Sequence, residues 1–260
     1  MSPVSSAVST RVSRGPQQVW FITGSSRGFG RALIQAVLDA GDLVVATARR
    51  PERLAEFAQQ YGNRVLPLAL DVTDEAAVRD AVSAAVERFG RLDVVVNNAG
   101  YANVAPIETG DEEDFRTQFE TNFWGVYNVS KAVIPQLRAQ GGGTIVQFSS
   151  VGGRVGGSPG IASYQAAKFA VDGFSRVLAV ETAPFGVRVM VVEPSGFATD
   201  WAGSSMTIYD VPADYDATIG PCTAACAPTL PVLRATRSAR PRSSCRQSSA
   251  ATRPPTCCSA

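Results

Sequence analysis

The chain contains no histidine, which removes the Ser-His-Asp triad, the imidazole general base and nearly every zinc-enzyme ligand set. Lysine is almost as scarce: Lys131 and Lys168 stand beside 22 arginines. Cysteine is confined to Cys222, Cys226, Cys245, Cys257 and Cys258, whose C-x-x-x-C spacing and odd total suit neither a zinc site nor a closed disulfide framework. No metal is therefore expected. A net charge of +1 supplies no broad field for nucleic acid or anionic lipid. Apolar runs such as Val187 to Val192 are far too short to span a bilayer. Met1 to Gln18 is polar and Ser-rich without an apolar core segment, so no secretory leader is expected and the cytoplasm is the expected compartment.

What is present divides unevenly. Segment 220–260 holds six arginines, six prolines and no acid, a net of +6, while residues 1–219 carry 18 basic against 23 acidic groups. The last segment shows neither helical nor strand periodicity. The expected organisation is a flexible extension over 1–17, one folded domain over 18–219, and an atypical, poorly ordered tail over 220–260 without a continuous strand.

Within the body, apolar runs alternate with helical patterns. Val19 to Ile22 is a strand, followed by a glycine turn and a helix from Arg31 to Ala40. Leu43 to Ala48 is a second strand, Pro51 to Tyr61 a helix opened by proline, and Arg64 to Val72 a third strand. Asp74 to Phe89 has an acidic first turn and an apolar stripe through Ala77, Val78, Ala81, Val82 and Ala85. Leu92 to Asn97 is a fourth strand. A long helical region over 112–139, a strand at Thr144 to Ser149, a helix from Ser163 to Thr182 and a strand at Val187 to Val192 complete the pattern. Strands apolar on both faces and separated by helices specify an α/β fold: a Rossmann-like, doubly wound parallel sheet in a single domain.

The first turn, Thr23-Gly24-Ser25-Ser26-Arg27-Gly28-Phe29-Gly30, places glycines where a dinucleotide pyrophosphate can approach backbone N–H groups at a helix N-terminus. A tight strand-to-helix turn would require glycine as well. The octet resembles the T-G-x-x-x-G-x-G turn of the short-chain dehydrogenase/reductase family, and further family motifs follow in order. Asp71, with Val72 beside it, resembles the adenine-contacting aspartate. Asn97-Asn98-Ala99-Gly100 matches the N-N-A-G segment, and Asn122 aligns with the helix asparagine of the catalytic tetrad. Ser150 resembles the catalytic serine, with Ser149 the adjacent alternative, and Tyr164-x-x-x-Lys168 resembles the Tyr/Lys pair. In Pro194-Ser195-Gly196-Phe197-Ala198-Thr199 serine replaces the first glycine of the P-G-x-x-x-T cofactor loop. The resemblance covers roughly residues 18–210.

It implies that Asn122, Ser150, Tyr164 and Lys168 are catalytic. It also implies that Gly24, Ser26, Arg27, Gly28, Phe29, Gly30, Arg49, Asp71, Val72, Asn98, Ala99, Gly100, Pro194, Gly196 and Thr199 hold a nicotinamide dinucleotide together with Tyr164 and Lys168. A tyrosine four residues before a lysine shares a helix face with it, and the lysine cation is expected to lower the phenol pKa from its usual value of about 10. Family members selective for NAD carry an acid near the end of the second strand. Ala48 stands there, followed by Arg49 and Arg50, so NADP(H) is expected over NAD(H).

The expected activity is hydride transfer between nicotinamide and a hydrophobic carbonyl or secondary-alcohol substrate, in a homo-oligomer. An NADP(H)-binding regulator without turnover is the alternative, as is a non-functional product impaired by its altered end. Tyr101, Val104, Phe197, Trp201, Met206 and Ile208 are candidates for the substrate pocket and equally for core or interface. The tail itself fits an out-of-frame translation, because letters encoding Thr-Cys-Cys-Ser-Ala encode Leu-Leu-Leu-Gly in another frame.

Overall fold

The computed structural model describes residues 16–195 and 206–221, and the backbone of 232–233. Among these residues, a parallel sheet runs in the order β3-β2-β1-β4-β6-β7. Its strands are β1 (Val19–Ile22), β2 (Leu43–Ala48), β3 (Val65–Ala69), β4 (Val94–Asn97), β6 (Gly143–Phe148) and β7 (Val187–Val192). The flanking helices are α1 (Gly28–Asp39), α2 (Ala55–Tyr61), α3 (Glu75–Phe89), α4 (Glu112–Phe119), α5 (Gly125–Ala139) and α6 (Ala162–Thr182). No helix among the described residues is long and apolar enough to cross a membrane.

Strand side chains alternate between two faces, and both faces are covered, which is why the strands show uninterrupted apolar runs. Val45, Phe21, Val95 and Ile145 form one row across four paired strands, each with no exposed surface. They pack on α3, α5 and α6 through Val78, Val82, Val129, Val133 and Leu178. Their neighbours Ile22, Val44, Val94 and Val96 face the opposite side, against Ile34, Val37 and Leu38 of α1 and Phe57 of α2. Each such buried side chain contributes about 1.5–3 kcal/mol.

The chain leaves β1 towards β2 and β3 on one side and returns to β4 on the other. The resulting switch point lies at the carboxyl ends of β1 and β4, where a crevice opens in sheets of this kind. Asp74 caps α3 by accepting from the N–H groups of Ala76 and Ala77, which satisfies donors that the helix cannot pair internally.

Several boundaries differ from the sequence reading. Helix α1 starts at Gly28 rather than Arg31, because the intrinsic cost of glycine in a helix is overridden by the close packing of its first turn. The stretch from Pro51 begins as a 3-10 turn, Pro51–Leu54. Strand β3 ends at Ala69, which leaves Leu70, Asp71 and Val72 as a strand-end segment. The long helical region is interrupted by a π turn at Glu120–Trp124.

A second, small parallel sheet was not foreseen. It orders β5 (Ala102–Val104), β8 (Met206–Tyr209) and β9 (Val232–Leu233) side by side. Of the residues read as substrate pocket or core, Val104, Met206 and Ile208 form a small core with Ala102, Ile219 and Tyr164. Beyond 220, where no continuous strand was expected, the backbone of Val232 and Leu233 forms a two-residue pairing with Ile208 and Tyr209. The five cysteines and, apart from Gly220, Pro221 and this pairing, the rest of the tail lie outside the described residues, as do Gly196, Phe197, Thr199 and Trp201.

Candidate active site

A cleft of about 990 Å³ opens at the switch point. Its floor is the glycine turn clamped to the end of β4. Thr23 Oγ1 accepts from the N–H groups of both Asn98 and Ala99 at 3.0 Å, and Asn98 Nδ2 donates back to the carbonyls of Thr23 and Gly24. Gly24 has φ +65°, and a Cβ there would lie 2.7 Å from Ala99 Cα, so conformation and space both require glycine. Gly30 is packed in the same way, since a Cβ would meet the Gly24 carbonyl oxygen at 2.4 Å. It sits behind the cleft wall rather than on it.

Gly28 is different. It lines the cleft at φ +52°, and a Cβ there would meet nothing within 4 Å. Open space therefore lies beside the first residue of α1, a helix with no side-chain cap. The first turn of a helix presents N–H groups that the helix itself does not pair, and its positive end suits a phosphate at that place. Ser26, Arg27 and Phe29 line the same wall, and the Phe29 ring lies 5.7 Å from that of Phe148.

At one end of the cleft, β2 closes with buried Ala48, and exposed Arg49 and Arg50 follow on the rim. Asp71 and Val72 line the same end. Asp71 Oδ1 accepts from the N–H of Thr73 at 3.0 Å and its hydroxyl at 2.8 Å, which fixes the carboxylate at the rim. No carboxylate stands at Ala48, and a guanidinium fork suits a ribose phosphate there.

At the other end, Tyr164 and Lys168 project from the first turns of α6, and both are buried. Ser150 follows β6. Its hydroxyl accepts from the N–H of Gly152 at 3.1 Å and is hydrogen-bonded to the Tyr164 side chain. Ser149 turns away, donating to the Lys168 carbonyl at 3.3 Å. Lys168 Nζ donates to the carbonyl of Phe148 at 2.7 Å and lies 5.5 Å from the centroid of the Tyr164 ring.

Asn122 is fully buried in the π turn behind this cluster. Its Nδ2 donates to the carbonyls of Tyr101 and Gln118 at 2.8 Å, and its Oδ1 accepts from the Tyr101 N–H. By taking the Gln118 carbonyl, the side chain replaces an ordinary helical backbone bond, a local reason for the π turn. A Cβ on Gly100 would lie 2.5 Å from Asn122 Oδ1 and 3.6 Å from Lys168 Nζ, so glycine there leaves the space between the two polar groups clear. Pro194 lines the cleft and its carbonyl accepts from the N–H of Val151 at 3.1 Å.

The electrostatics depart from expectation in one respect. In the chain alone, burial raises the Tyr164 phenol above its ordinary value, with the Ser150 hydrogen bond acting the other way. The Lys168 ammonium is itself strained: burial lowers it from 10.5 to about 8, against the opposing charge of Asp172. The influences on the Tyr164 phenol are burial and the Ser150 hydrogen bond, with no resolved lowering by Lys168.

Of two further cleft residues, Tyr101 was foreseen at the substrate pocket and Gln165 was missed by sequence reasoning. Gln165, next to Tyr164, accepts at Oε1 from the N–H of Ser158 at 3.3 Å and leaves Nε2 without a hydrogen-bond partner. Nothing in an isolated glutamine signals this. The Tyr101 hydroxyl is raised by burial and by Asp114, with Arg49 acting in the opposite direction.

Residues 18–208 match the family model described as short chain dehydrogenase. The chain is 55% identical over 204 residues to an oxidoreductase of Botryotinia fuckeliana, covering 78% of this chain and 74% of that protein. A solved short-chain dehydrogenase from Streptomyces avermitilis is 38% identical with a TM-score of 0.75, over 80% of this chain and 78% of that one. The 3-ketoacyl-(acyl-carrier-protein) reductase from Brucella melitensis, solved in complex with NADH, is 32% identical with a TM-score of 0.67, over 70% of this chain and 77% of that one.

Proposed function

The chain belongs to the short-chain dehydrogenase family, and from that premise we propose that it is an NADP(H)-dependent oxidoreductase acting on a hydrophobic ketone or secondary alcohol in the cytoplasm. The observation that carries this reading is the Ser150–Tyr164–Lys168 cluster at one end of a cleft whose other end presents Arg49 and no acid at Ala48. The open space at Gly28 fits a dinucleotide phosphate, and Gly24, Ser26, Arg27, Asn98 and Ala99 would line its path. When bound, the dinucleotide supplies the hydride.

The residues of the chain then handle oxygen and proton. Tyr164, kept as a phenol by burial, is the proton donor to a carbonyl oxygen undergoing reduction. Ser150, already hydrogen-bonded to that phenol, donates to the same oxygen and steadies its developing charge. Lys168, anchored on Phe148, presents its remaining N–H groups to the ribose. Asn122 holds the Tyr101 backbone and the space beside Gly100, and supports a water-linked relay. Gly196 and Thr199, outside the described residues, belong to the same proposed cofactor-binding set. Val151 and Ile161 line the catalytic end and favour an apolar substrate.

Homo-oligomerisation belongs to the same reading, supported by Val177 and Val180, which are 57% and 76% exposed on α6. The test of function is a carbonyl and alcohol panel with NADPH and NADH on the purified chain. Turnover with NADPH is expected; NADPH binding without turnover across the panel would replace the enzyme by a nucleotide-binding regulator.

A further inference from the structure

Lys168 is 4% exposed, and the hydrogen bond of its Nζ is to a neutral carbonyl. Its polar surroundings are otherwise neutral or remote. Tyr164 shares its helix face, and Asn122 lies across the space at Gly100. Strand β6 has no charged residue. Beyond its end, Arg154 pairs at 3.0 Å with Glu193, the acid that follows β7. Arg188 of β7 donates to Thr144 at the start of β6, far from Phe148. Glu120 of the π turn is exposed, and Arg49 and Asp71 lie at the opposite end of the cleft.

One anion remains. Asp172 stands four residues after Lys168 on α6, one helical turn along the same face. It is 7% exposed, and its Oδ1 has no hydrogen-bond partner. A carboxylate held out of water with an unsatisfied oxygen is costly unless a charge nearby compensates it. A buried ammonium without a counter-charge has the same difficulty.

We infer that Asp172 is a positioning residue that keeps Lys168 in its cationic form within the cleft. The carboxylate works through space, across an interior that screens poorly, and leaves the N–H groups of Lys168 free for Phe148 and for the ribose of a bound dinucleotide. The direction of its action on the lysine agrees: Asp172 opposes the lowering caused by burial. The inference rests on the proposed role of Lys168 and deepens it, because the cationic share of the ribose-holding group around pH 7–8 falls when Asp172 loses its charge.

With two lysines in the chain, protein labelled with 13C-lysine gives two side-chain signals, and Lys131→Arg assigns them. In the full chain without cofactor the Lys168 signal should titrate with a midpoint near 8. Asp172→Asn should move that midpoint down by about half a unit or more, while Asp172→Glu should leave it close to the parent value. Asp172→Ser reads the same shift should the amide variant fail to fold. Addition of NADPH should displace the Lys168 signal; an unmoved signal would remove the proposed ribose contact and leave the counter-charge standing. A midpoint unchanged in folded Asp172→Asn or Asp172→Ser, or lowered as much by Asp172→Glu, overturns the inference.

Discussion

Lys168 reaches from α6 to the last residue of β6, where its Nζ donates to the Phe148 carbonyl at 2.7 Å. A charged side chain is thereby fixed at a strand end with almost no access to water. The arrangement burdens the folded state, and the burden has a measurable pH signature.

The unfolded lysine titrates near 10.5 and the folded one near 8, so between these values the unfolded chain holds more proton and folding becomes more favourable as pH rises. The cost is fully present below about pH 8 and gone above about pH 10.5. Lys168→Met removes it. The advantage of the variant over the parent in unfolding free energy should therefore shrink by on the order of 3 kcal/mol between pH 7 and pH 10.5, as read from urea titrations of both proteins. A constant difference would show that the lysine keeps its ordinary proton affinity.

Tyr164→Phe keeps the ring in the small core beneath the cleft and deletes the transferable proton. Turnover should fall by about 10²–10⁴-fold, with NADPH affinity nearly unchanged in a fluorescence titration. Retention of most of kcat would exclude Tyr164 as the acid/base.

Arg49→Ala should weaken NADPH by roughly tenfold or more, the worth of a charge-assisted hydrogen bond, and leave NADH within about twofold. Calorimetric titration with both dinucleotides decides the matter. Equal losses would mean that Arg49 does not face the 2′-phosphate.

Gly24→Ala and Gly28→Ala separate packing from binding. Both impose a left-handed backbone on a side chain, at about 1–2 kcal/mol. Only the first also drives a Cβ into Ala99, so it should lower the melting temperature much more. Gly28→Ala should stay folded and lose dinucleotide affinity, because its methyl enters open cleft space. Similar melting temperatures for the two would contradict the geometry.

Much of this fold was legible because β-branched runs such as Val94-Val95-Val96 and stripes such as that of α3 carry their own periodicity. The small sheet was not. Its strand β5 is three residues long, contains an asparagine, and pairs with residues over a hundred positions away, a partnership no local window contains. Asn103 is what holds it there: its side chain accepts from the Thr207 N–H at 2.9 Å and donates to Asp114 at 2.6 Å. In the site, the Tyr164–Lys168 spacing was readable from helix geometry, whereas the Asp172 influence depends on burial. A sequence does not show which of two neighbouring turns is desolvated. Ser150 and Ser149 differ only in which way each hydroxyl points, a consequence of the turn that follows β6.

Gln165→Leu keeps similar bulk while removing the acceptor for the Ser158 N–H. Stability should drop by about 1–3 kcal/mol if that N–H is left unpaired, and KM should rise more than kcat falls, since the residue borders the catalytic end without touching the transferred proton. Unchanged KM would place Gln165 outside substrate reach.

The π turn at Glu120–Trp124 amounts to a single-residue insertion in what would otherwise be one unbroken helix from α4 through α5. Each residue of an α-helix advances the azimuth by about 100°, so deleting one position here would not merely shorten the rod. It would swing all of α4 round relative to α5, carrying Gln118 and Asp114 off Asn103 and taking the small sheet from its place behind Tyr164. The spare residue is thus a gear tooth: it sets the phase between the helix that braces the small sheet and the helix that covers the large one.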